Sequence, residues 1–147
     1  MIALSSMAPS DAALLRDLPY DAMLTERKQQ MLEASAAKTY NGSRFELLAV
    51  LDGTCCVGVI NFCGSGQTAS CAPDIKPQFR RQGFGEAAML QALEYAKTLG
   101  YTTAVAQVRQ DNTASIALHR KLGFAVASEF INSKGNPVVA FEKAIEN

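Results

Sequence analysis

The sequence has 147 residues, 48% hydrophobic and 19% charged, and its 14 basic side chains balance 14 acidic ones. This length suits one domain, residues 1–147, and the composition is that of a globular protein rather than a disordered or fibrous one. Zero net charge argues against broad nucleic-acid binding, and no run approaches the roughly 18 apolar residues of a membrane span.

The first third of the chain begins with a strand pattern and continues with two helix patterns. Residues 1–5 predict a short strand, and residues 9–11 predict the start of a helical piece that ends at Pro19. The helix formers of residues 21–39 predict a longer helix with Asp21 as its cap.

The middle of the chain predicts strands. Residues 45–53 and 54–63 form two apolar segments joined through Asp52-Gly53, a dipeptide favoured in hairpins. Residues 68–77 predict a further strand, but the two prolines in it exclude a regular central strand along its whole length.

The second half predicts two helices that alternate with strands. The first helix runs from about residue 83 to about Leu99. Its residues Ala87, Leu90 and Leu93 recur at helical spacing, which predicts that they face the core.

After this helix, the strand pattern of residues 101–109 is followed by a short helix that Asp111 or Asn112 caps and Gly123 ends. Residues 124–131 and 137–145 predict a closing hairpin.

The four cysteines, Cys55, Cys56, Cys63 and Cys71, form no C-x-x-C pair, and the single histidine lies far beyond them. A structural zinc site usually has tighter ligand pairs, so no metal is predicted, and reduced, buried thiols are expected instead. The first residues lack a basic segment followed by a long apolar run, which predicts no signal peptide and a cytoplasmic protein.

Two glycine patterns are candidates for phosphate binding. Residues 64–69 match G-x-G-x-x-G/A, but no helix pattern follows them, so they predict a plain hairpin turn. Gly83 and Gly85 open a helix whose N-terminal N–H groups and partial positive charge favour an anion. Glycine lets the anion approach the backbone, and Arg80 and Arg81 add charge-assisted hydrogen bonds, although a strained turn with solvated arginines is the alternative.

This second pattern resembles the acetyl-CoA-binding signature of the GCN5-related N-acetyltransferases (the GNAT family), [RQ]-x-x-G-x-[GA], matched by Arg80, Gly83 and Gly85. Residues 75–77 are similar to the aliphatic-x-Pro that the family carries before this loop. Residues 112–124 resemble its later helix, which begins with asparagine, carries a tyrosine or histidine and ends in Gly-Phe.

The resemblance is close over residues 68–124 and rests on element order elsewhere. It implies an α+β, GNAT-like fold, a central mixed and mostly antiparallel β-sheet with helices on both faces. It also implies an N-acetyltransferase that transfers an acetyl group from acetyl-CoA to a primary amine by direct attack.

The resemblance also implies where the cofactor binds. The coenzyme A pyrophosphate would lie on the loop, and the pantetheine arm between two strands that splay apart near Ile75, where a backbone N–H would polarise the thioester carbonyl. Asn112 would contact or order the arm with help from Ser115, or would only cap its helix. The implied loop residues are Arg80, Arg81, Gln82, Gly83, Phe84 and Gly85.

Two candidate catalytic residues follow from the resemblance. His119 occupies the position of the family's usual tyrosine, the acid that protonates the departing thiolate, and three roles stay open: acid, positioning hydrogen bond or structural residue. The family often carries a glutamate before the loop, where this sequence has Gln67. Asp74 is therefore the candidate base, with a solvated strand-end acid as the alternative.

A small-molecule amine is favoured over a protein as the acceptor, and a monomer or homodimer without nucleic-acid or membrane partners is expected. The main alternative is a non-catalytic acyl-CoA-binding or sensor module. Cys71 raises the option of a covalent intermediate, but no activating base is evident beside it. Four further residues near the expected acceptor pocket receive no role: Tyr20, Glu26, Glu33 and Phe130.

Overall fold

The computed structural model describes residues 2–145, which form one curved sheet flanked by helical segments. The strands are β1 (Ile2–Ser6), β2 (Thr39–Tyr40), β3 (Ser43–Asp52), β4 (Cys55–Ser65), β5 (Thr68–Ile75), β6 (Thr103–Arg109), β7 (Ala125–Ile131) and β8 (Pro137–Ala144). The α-helices are α1 (Thr25–Ala37), α2 (Phe84–Thr98) and α3 (Thr113–Lys121), and 3-10 turns span Pro9–Leu15, Pro19–Ala22 and Pro77–Phe79.

The strand order is β1-β3-β4-β5-β6-β8-β7, with β2 paired beside β3. Among these pairs only β5 and β6 run parallel, so the expected mixed, mostly antiparallel sheet is confirmed. The parallel pairing covers only residues 68–70 and 103–105, and the later residues of β5 and β6 are not paired with each other. The sheet is therefore split at its centre.

Two clusters of buried side chains lie on the two faces of the sheet, because successive strand residues point to opposite sides. On β3, Leu48 and Val50 belong to the cluster beneath α2 and α3, whereas Leu47 and Ala49 belong to the cluster beneath α1 and the first two 3-10 turns. Helices therefore cover both faces, as expected. No helix within residues 2–145 is long and apolar enough to cross a membrane.

The prediction for the first long helix is wrong at its N-terminus. The α-helix begins at Thr25 rather than residue 21, because Pro19–Ala22 form a separate 3-10 turn. Asp21 does not cap α1, and its carboxylate instead accepts a hydrogen bond from Nζ of Lys28 at 3.4 Å.

The prediction for the core face of α2 is wrong in part. Leu93 is buried, but Leu90 is 51% exposed and Ala87 lies at the margin of the core. The buried stripe is rotated by about one residue and contains three alanines four residues apart, because small side chains let the helix approach the sheet closely. Its members are Ala88, Met89, Ala92, Leu93 and Ala96.

The thiol prediction holds for two of the four cysteines. Cys56 and Cys71 are buried and unoxidised, whereas Cys55 and Cys63 are unoxidised but exposed. Cys55 follows the β3–β4 turn, and Cys63 lies near the far end of β4. The other predicted elements, including both hairpins, β5 and the ends of α2 and α3, are confirmed.

A buried carboxylate joins the β1 edge of the sheet to α2. Glu46 on β3 has no solvent exposure, and its carboxylate accepts hydrogen bonds from Tyr95 at 2.7 Å, Arg44 at 3.1 Å and Ser6 at 3.2 Å. Lys38 adds an ion pair at 3.4 Å. These donors satisfy a charge that would otherwise be costly to bury.

We expect Glu46→Gln to lower the free energy of unfolding by about 3 kcal/mol at pH 7, measured by urea denaturation, because it removes one member of a buried ion network. Glu94→Gln is the matched control. Glu94 pairs with Lys97 at 3.4 Å but is exposed, so its loss should cost about 0.5 kcal/mol or less. Equal effects of the two changes would contradict this account.

The effect of Glu46→Gln should depend on pH. Burial acts to raise the pKa of Glu46, but the Tyr95 hydrogen bond and the Arg44 and Lys38 charges outweigh burial and hold the pKa below its ordinary value. The stabilisation is therefore complete above about pH 4.3, the unfolded value, and is lost as the pH falls through the folded pKa. The difference in the free energy of unfolding between the native protein and Glu46→Gln should become smaller as the pH is lowered.

Candidate active site

The split between β5 and β6 opens two adjoining cavities. The larger, about 560 Å³, is lined by residues 70–73 of β5, residues 105–108 of β6 and parts of α3, β7 and β8. The smaller, about 430 Å³, extends from the end of β5 towards the start of α2. Because Pro73 and Ser115 line both, the cavities form a continuous path from the start of α2 into the middle of the sheet.

The loop before α2 takes two left-handed backbone conformations. Arg81 has φ +63° and Gly83, the N-cap of α2, has φ +84°. The Nε of Arg80 donates a hydrogen bond to the carbonyl oxygen of Ile75 at 3.0 Å, which ties the loop to the end of β5. Gly83 is therefore required by the backbone conformation, and the N–H groups of the first turn of α2 have no partner within the helix.

Gly85 is explained by the space in front of it rather than by the backbone. A Cβ at this position would meet only Ile75 at 3.7 Å and Leu118 at 4.0 Å, which are ordinary contacts. The chain itself would therefore accept alanine here, whereas the missing side chain leaves room in the smaller cavity, beside Arg80 and the N-terminus of α2. This cradle fits a pyrophosphate.

The predicted loop residues do not all line the cavities. Arg80 and Gly85 line the smaller cavity, whereas Arg81, Gln82 and Gly83 are exposed on the outer side of the loop. Gln82 donates a hydrogen bond to the carbonyl oxygen of Gln78 at 3.4 Å. Phe84 packs its ring edge against Phe79, with ring centroids 6.3 Å apart, and so anchors the start of α2 to the core.

The predicted face of α3 lies along the path of cavities. Asn112 and Ser115 line the smaller cavity, and Ser115 and His119 line the larger one. The side-chain oxygen of Asn112 accepts a hydrogen bond from the N–H of Ser115 at 3.1 Å, as an N-cap does. The cap uses this oxygen and leaves the amide NH₂ group available to a ligand.

His119 is 2% exposed and held from two sides. Its Nδ1 lies 2.7 Å from the carbonyl oxygen of Ser115, and its ring stacks on Phe141 with centroids 5.5 Å apart. A carbonyl oxygen can only accept, so Nδ1 carries the hydrogen and Nε2 of the neutral ring has a free lone pair. Nε2 is buried with no partner among residues 2–145, and His119 lines the larger cavity.

Asp74 and Ile75 both line the smaller cavity, at the end of β5. Burial raises the pKa of Asp74, and the charge of Arg80 opposes that shift. Burial also raises the pKa of Tyr20, opposed by a hydrogen bond with Asn61 and reinforced by the charge of Asp74. The side chains of Tyr20, Asn61 and Asp74 therefore lie close together on the face covered by α1.

The structure separates some candidates from the site. The side-chain oxygen of Gln67 accepts a hydrogen bond from Thr102 at 3.3 Å, beyond the closed end of the split. Cys71 lines the larger cavity, but burial raises the pKa of its thiol to about 12, so it is protonated at neutral pH and a poor nucleophile. Within residues 2–145, no three His, Cys, Asp or Glu side chains gather as a metal site would require.

Sequence reasoning missed two polar residues of the larger cavity. Gln107 on β6 and Glu142 on β8 line it, and both are exposed. Their alternation with buried Ala106 and Phe141 is visible in the sequence and could have indicated that they point away from the core. Of the residues given no role, Tyr20 lies near Asp74, whereas Glu26 and Phe130 are exposed and Glu33 accepts a hydrogen bond from Gln29.

Solved structures share the fold over the whole chain. The E. coli ribosomal-protein-S18-alanine N-acetyltransferase is 19% identical with a TM-score of 0.75, covering 100% of this chain and 96% of its own. YncA of Salmonella typhimurium, solved with its cofactor acetyl-CoA, is 16% identical with a TM-score of 0.80, covering 100% and 95%.

Mutant forms of the spermidine/spermine N-acetyltransferase SpeG from Vibrio cholerae are 18% identical, with a TM-score of 0.79 and coverage of 99% of this chain and 95% of theirs. No curated protein sequence gives a match. The model of the acetyltransferase (GNAT) family matches residues 13–124, well over half of the sequence. The chain therefore belongs to the GNAT family of acetyltransferases.

Proposed function

We propose that this protein is an N-acetyltransferase that acetylates the primary amine of a small molecule. The observation that carries the proposal is the unpartnered Nε2 of His119, a buried imidazole nitrogen on the wall of the cavity between β5 and β6. An imidazole nitrogen that has no other partner and lines a cavity is placed to transfer a proton to a group bound there.

The cofactor would be held along the path of cavities. The Arg80 guanidinium, the space at Gly85 and the first-turn N–H groups of α2 would bind the pyrophosphate. The amide of Asn112 and the free backbone edge of β5 between Pro73 and Ile75 would hold the pantetheine arm. Acetyl-CoA supplies an activated acetyl thioester that an amine can attack directly.

His119 would act as an acid after taking up a second proton. Nδ1 keeps its hydrogen bond to the carbonyl of Ser115 in either protonation state, so the ring keeps one orientation. The second proton resides on Nε2 and is released into the larger cavity, where a thiolate would leave. Stacking on Phe141 restricts the ring further.

Asp74 would accept the proton that the amine must lose. A free alkylamine is almost entirely protonated at neutral pH, so an acceptor group is needed before it can attack. Burial raises the pKa of Asp74, which makes its carboxylate a stronger base than an exposed aspartate, and Tyr20 and Asn61 lie beside it.

Cofactor binding can be tested without knowing the acceptor. With acetyl-CoA at 1 mM and a dissociation constant near 10 μM, the protein gains about 2.7 kcal/mol, which corresponds to a rise in Tm of roughly 5 to 10 °C. Gly85→Ala should keep most of this rise and the Tm of the free protein, because the family signature accepts alanine at this position and its Cβ would make only ordinary contacts.

NAD and ATP serve as ligand controls, and Gly85→Glu should remove the shift entirely because it adds bulk and negative charge. An undiminished shift in Gly85→Glu would place the pyrophosphate elsewhere.

The role of His119 is tested by turnover. His119→Gln should lower kcat by about 10²-fold or more, the usual contribution of a general acid, while the acetyl-CoA-dependent rise in Tm persists. The measurement is the release of coenzyme A thiol with a saturating amine. A variant that keeps kcat within about 3-fold would rule out the acid role, and native protein that binds acetyl-CoA without acetylating any amine would support the binding-module alternative.

The role of Asp74 is tested by pH. Asp74→Asn should lower kcat/KM for the amine by about 10² at pH 7, and the loss should shrink as the pH approaches the amine's own pKa, where solvent deprotonates it. The control is Glu94→Gln, whose carboxylate is exposed and lines neither cavity of the split, and it should change kcat/KM by less than about 3-fold. Glu142→Gln removes another cavity carboxylate, and a larger loss in Glu142→Gln than in Asp74→Asn would exchange their roles.

A further inference from the structure

A third cavity, about 260 Å³, lies on the face of the sheet that α1 covers. Met23, Met31 and Phe45 form its apolar wall, and the ring of Tyr40 borders it, 6.3 Å from the ring of Phe45. This volume is below that of a typical whole ligand site and suits one side-chain-sized group. The cavity therefore has the size and lining to receive part of a larger molecule.

The third cavity lies next to the place where the acetyl group would be transferred. Asn61 of β4 lines it, and the cross-strand partner of Asn61 is Ala72 of β5, which lines the larger cavity of the split. Directly opposed residues point to the same face of a sheet, and neighbouring strands are about 4.8 Å apart. One small molecule could thus occupy the third cavity and present an amine at the split.

The charges around this path have opposite signs at its two ends. Arg27 on α1 lines the third cavity, and no acidic side chain within residues 2–145 does. Arg27 has no ion-pair partner within residues 2–145. The carboxylates of Asp74 and Glu142 line the two cavities of the split instead.

This layout discriminates between classes of amine. The acids near the split attract an ammonium group, whereas Arg27 repels a second cation and can donate charge-assisted hydrogen bonds to a carboxylate. A polyamine would place a positive charge against Arg27 and methionine side chains. An amine with an apolar body and a carboxylate would match both ends.

Building on the proposed N-acetyltransferase activity, we infer that the acceptor is a small primary amine that carries an apolar or aromatic group and a carboxylate. The apolar group occupies the third cavity, the carboxylate binds Arg27, and the amine lies at the split. Asn61 lines the third cavity on the side of the split, and the side chain of Tyr20 is hydrogen-bonded to Asn61.

The test compares acceptors in matched pairs, with kcat/KM measured by coenzyme A release and the product verified by mass spectrometry. 4-(Aminomethyl)benzoic acid and 4-(2-aminoethyl)benzoic acid carry the carboxylate at the end of the ring opposite the amine, and benzylamine and 2-phenylethylamine are their neutral counterparts. Each acid should exceed its counterpart by at least about 10-fold, as one charge-assisted hydrogen bond implies. Spermidine should be slower than either acid by at least about 100-fold.

Variants of Arg27 identify the source of the preference. Arg27→Ala should bring the ratio of acid to neutral acceptor close to one, and Arg27→Glu should favour the neutral or cationic amines. Arg120→Ala is the matched control, because Arg120 is an exposed helix residue that lines none of the three cavities and its loss should leave the ratio unchanged.

The outcomes separate the two proposals. Preferred turnover of spermidine or of peptide N-termini, or an unchanged ratio in Arg27→Ala, would overturn the inferred acceptor class while leaving the N-acetyltransferase activity intact. Turnover of no amine by protein that binds acetyl-CoA would overturn the proposed function and this inference together.

Discussion

The whole site depends on the early end of one strand pairing. β5 and β6 share register over only three residue pairs, Thr68 to Ser70 with Thr103 to Val105. If β5 and β6 were paired along their whole length, the sheet would be closed between them and the cavity would be lost. Because it stops, a backbone edge, a cavity and the buried nitrogen of His119 become accessible from the same gap. The remaining strand pairs keep the gap open by holding β5 to β4 and β6 to β8.

The two buried polar side chains Glu46 and His119 differ in how completely they are hydrogen-bonded. The Glu46 network is closed, with every buried atom of its carboxylate accepting a hydrogen bond, and it joins β3 to α2. His119 is only half satisfied, because one ring nitrogen is bound to the backbone and the other is not. A buried polar atom without a partner lowers stability, so its retention is understandable if a substrate or proton completes it.

Much of the fold and the conformation of the loop before α2 could be predicted from sequence, because each depends on local chemistry. Gly83 has the positive φ that its place before a helix suggested, and Asn112 caps α3 as predicted. The predictions that proved wrong concern features that tertiary packing determines. The start of α1 is displaced by a 3-10 turn that Pro19 initiates, and the inward face of α2 is chosen by how closely alanines approach the sheet rather than by leucine spacing.

The candidate site shows the same division. Arg80, Gly85 and His119 could be identified because two contiguous motifs contain them, whereas Glu142 comes from the last strand and meets the cavity only through the β6–β8 pairing. Likewise, the nearness of Asn61 to Ala72 follows from β4–β5 register, which the sequence alone does not determine.

Pro73 limits the pairing of other strands with the open edge of β5. It lies in the part of β5 that pairs with β4 but not with β6, and proline has no N–H to donate to either neighbour. Fluctuations that bring β5 and β6 together therefore cannot form a continuous ladder past this residue. An exposed strand edge normally invites another strand to bind, and the proline makes this one a poor template both for its own neighbour and for a foreign chain. The protein can thus keep an open backbone edge for a ligand at little risk of aggregation through it.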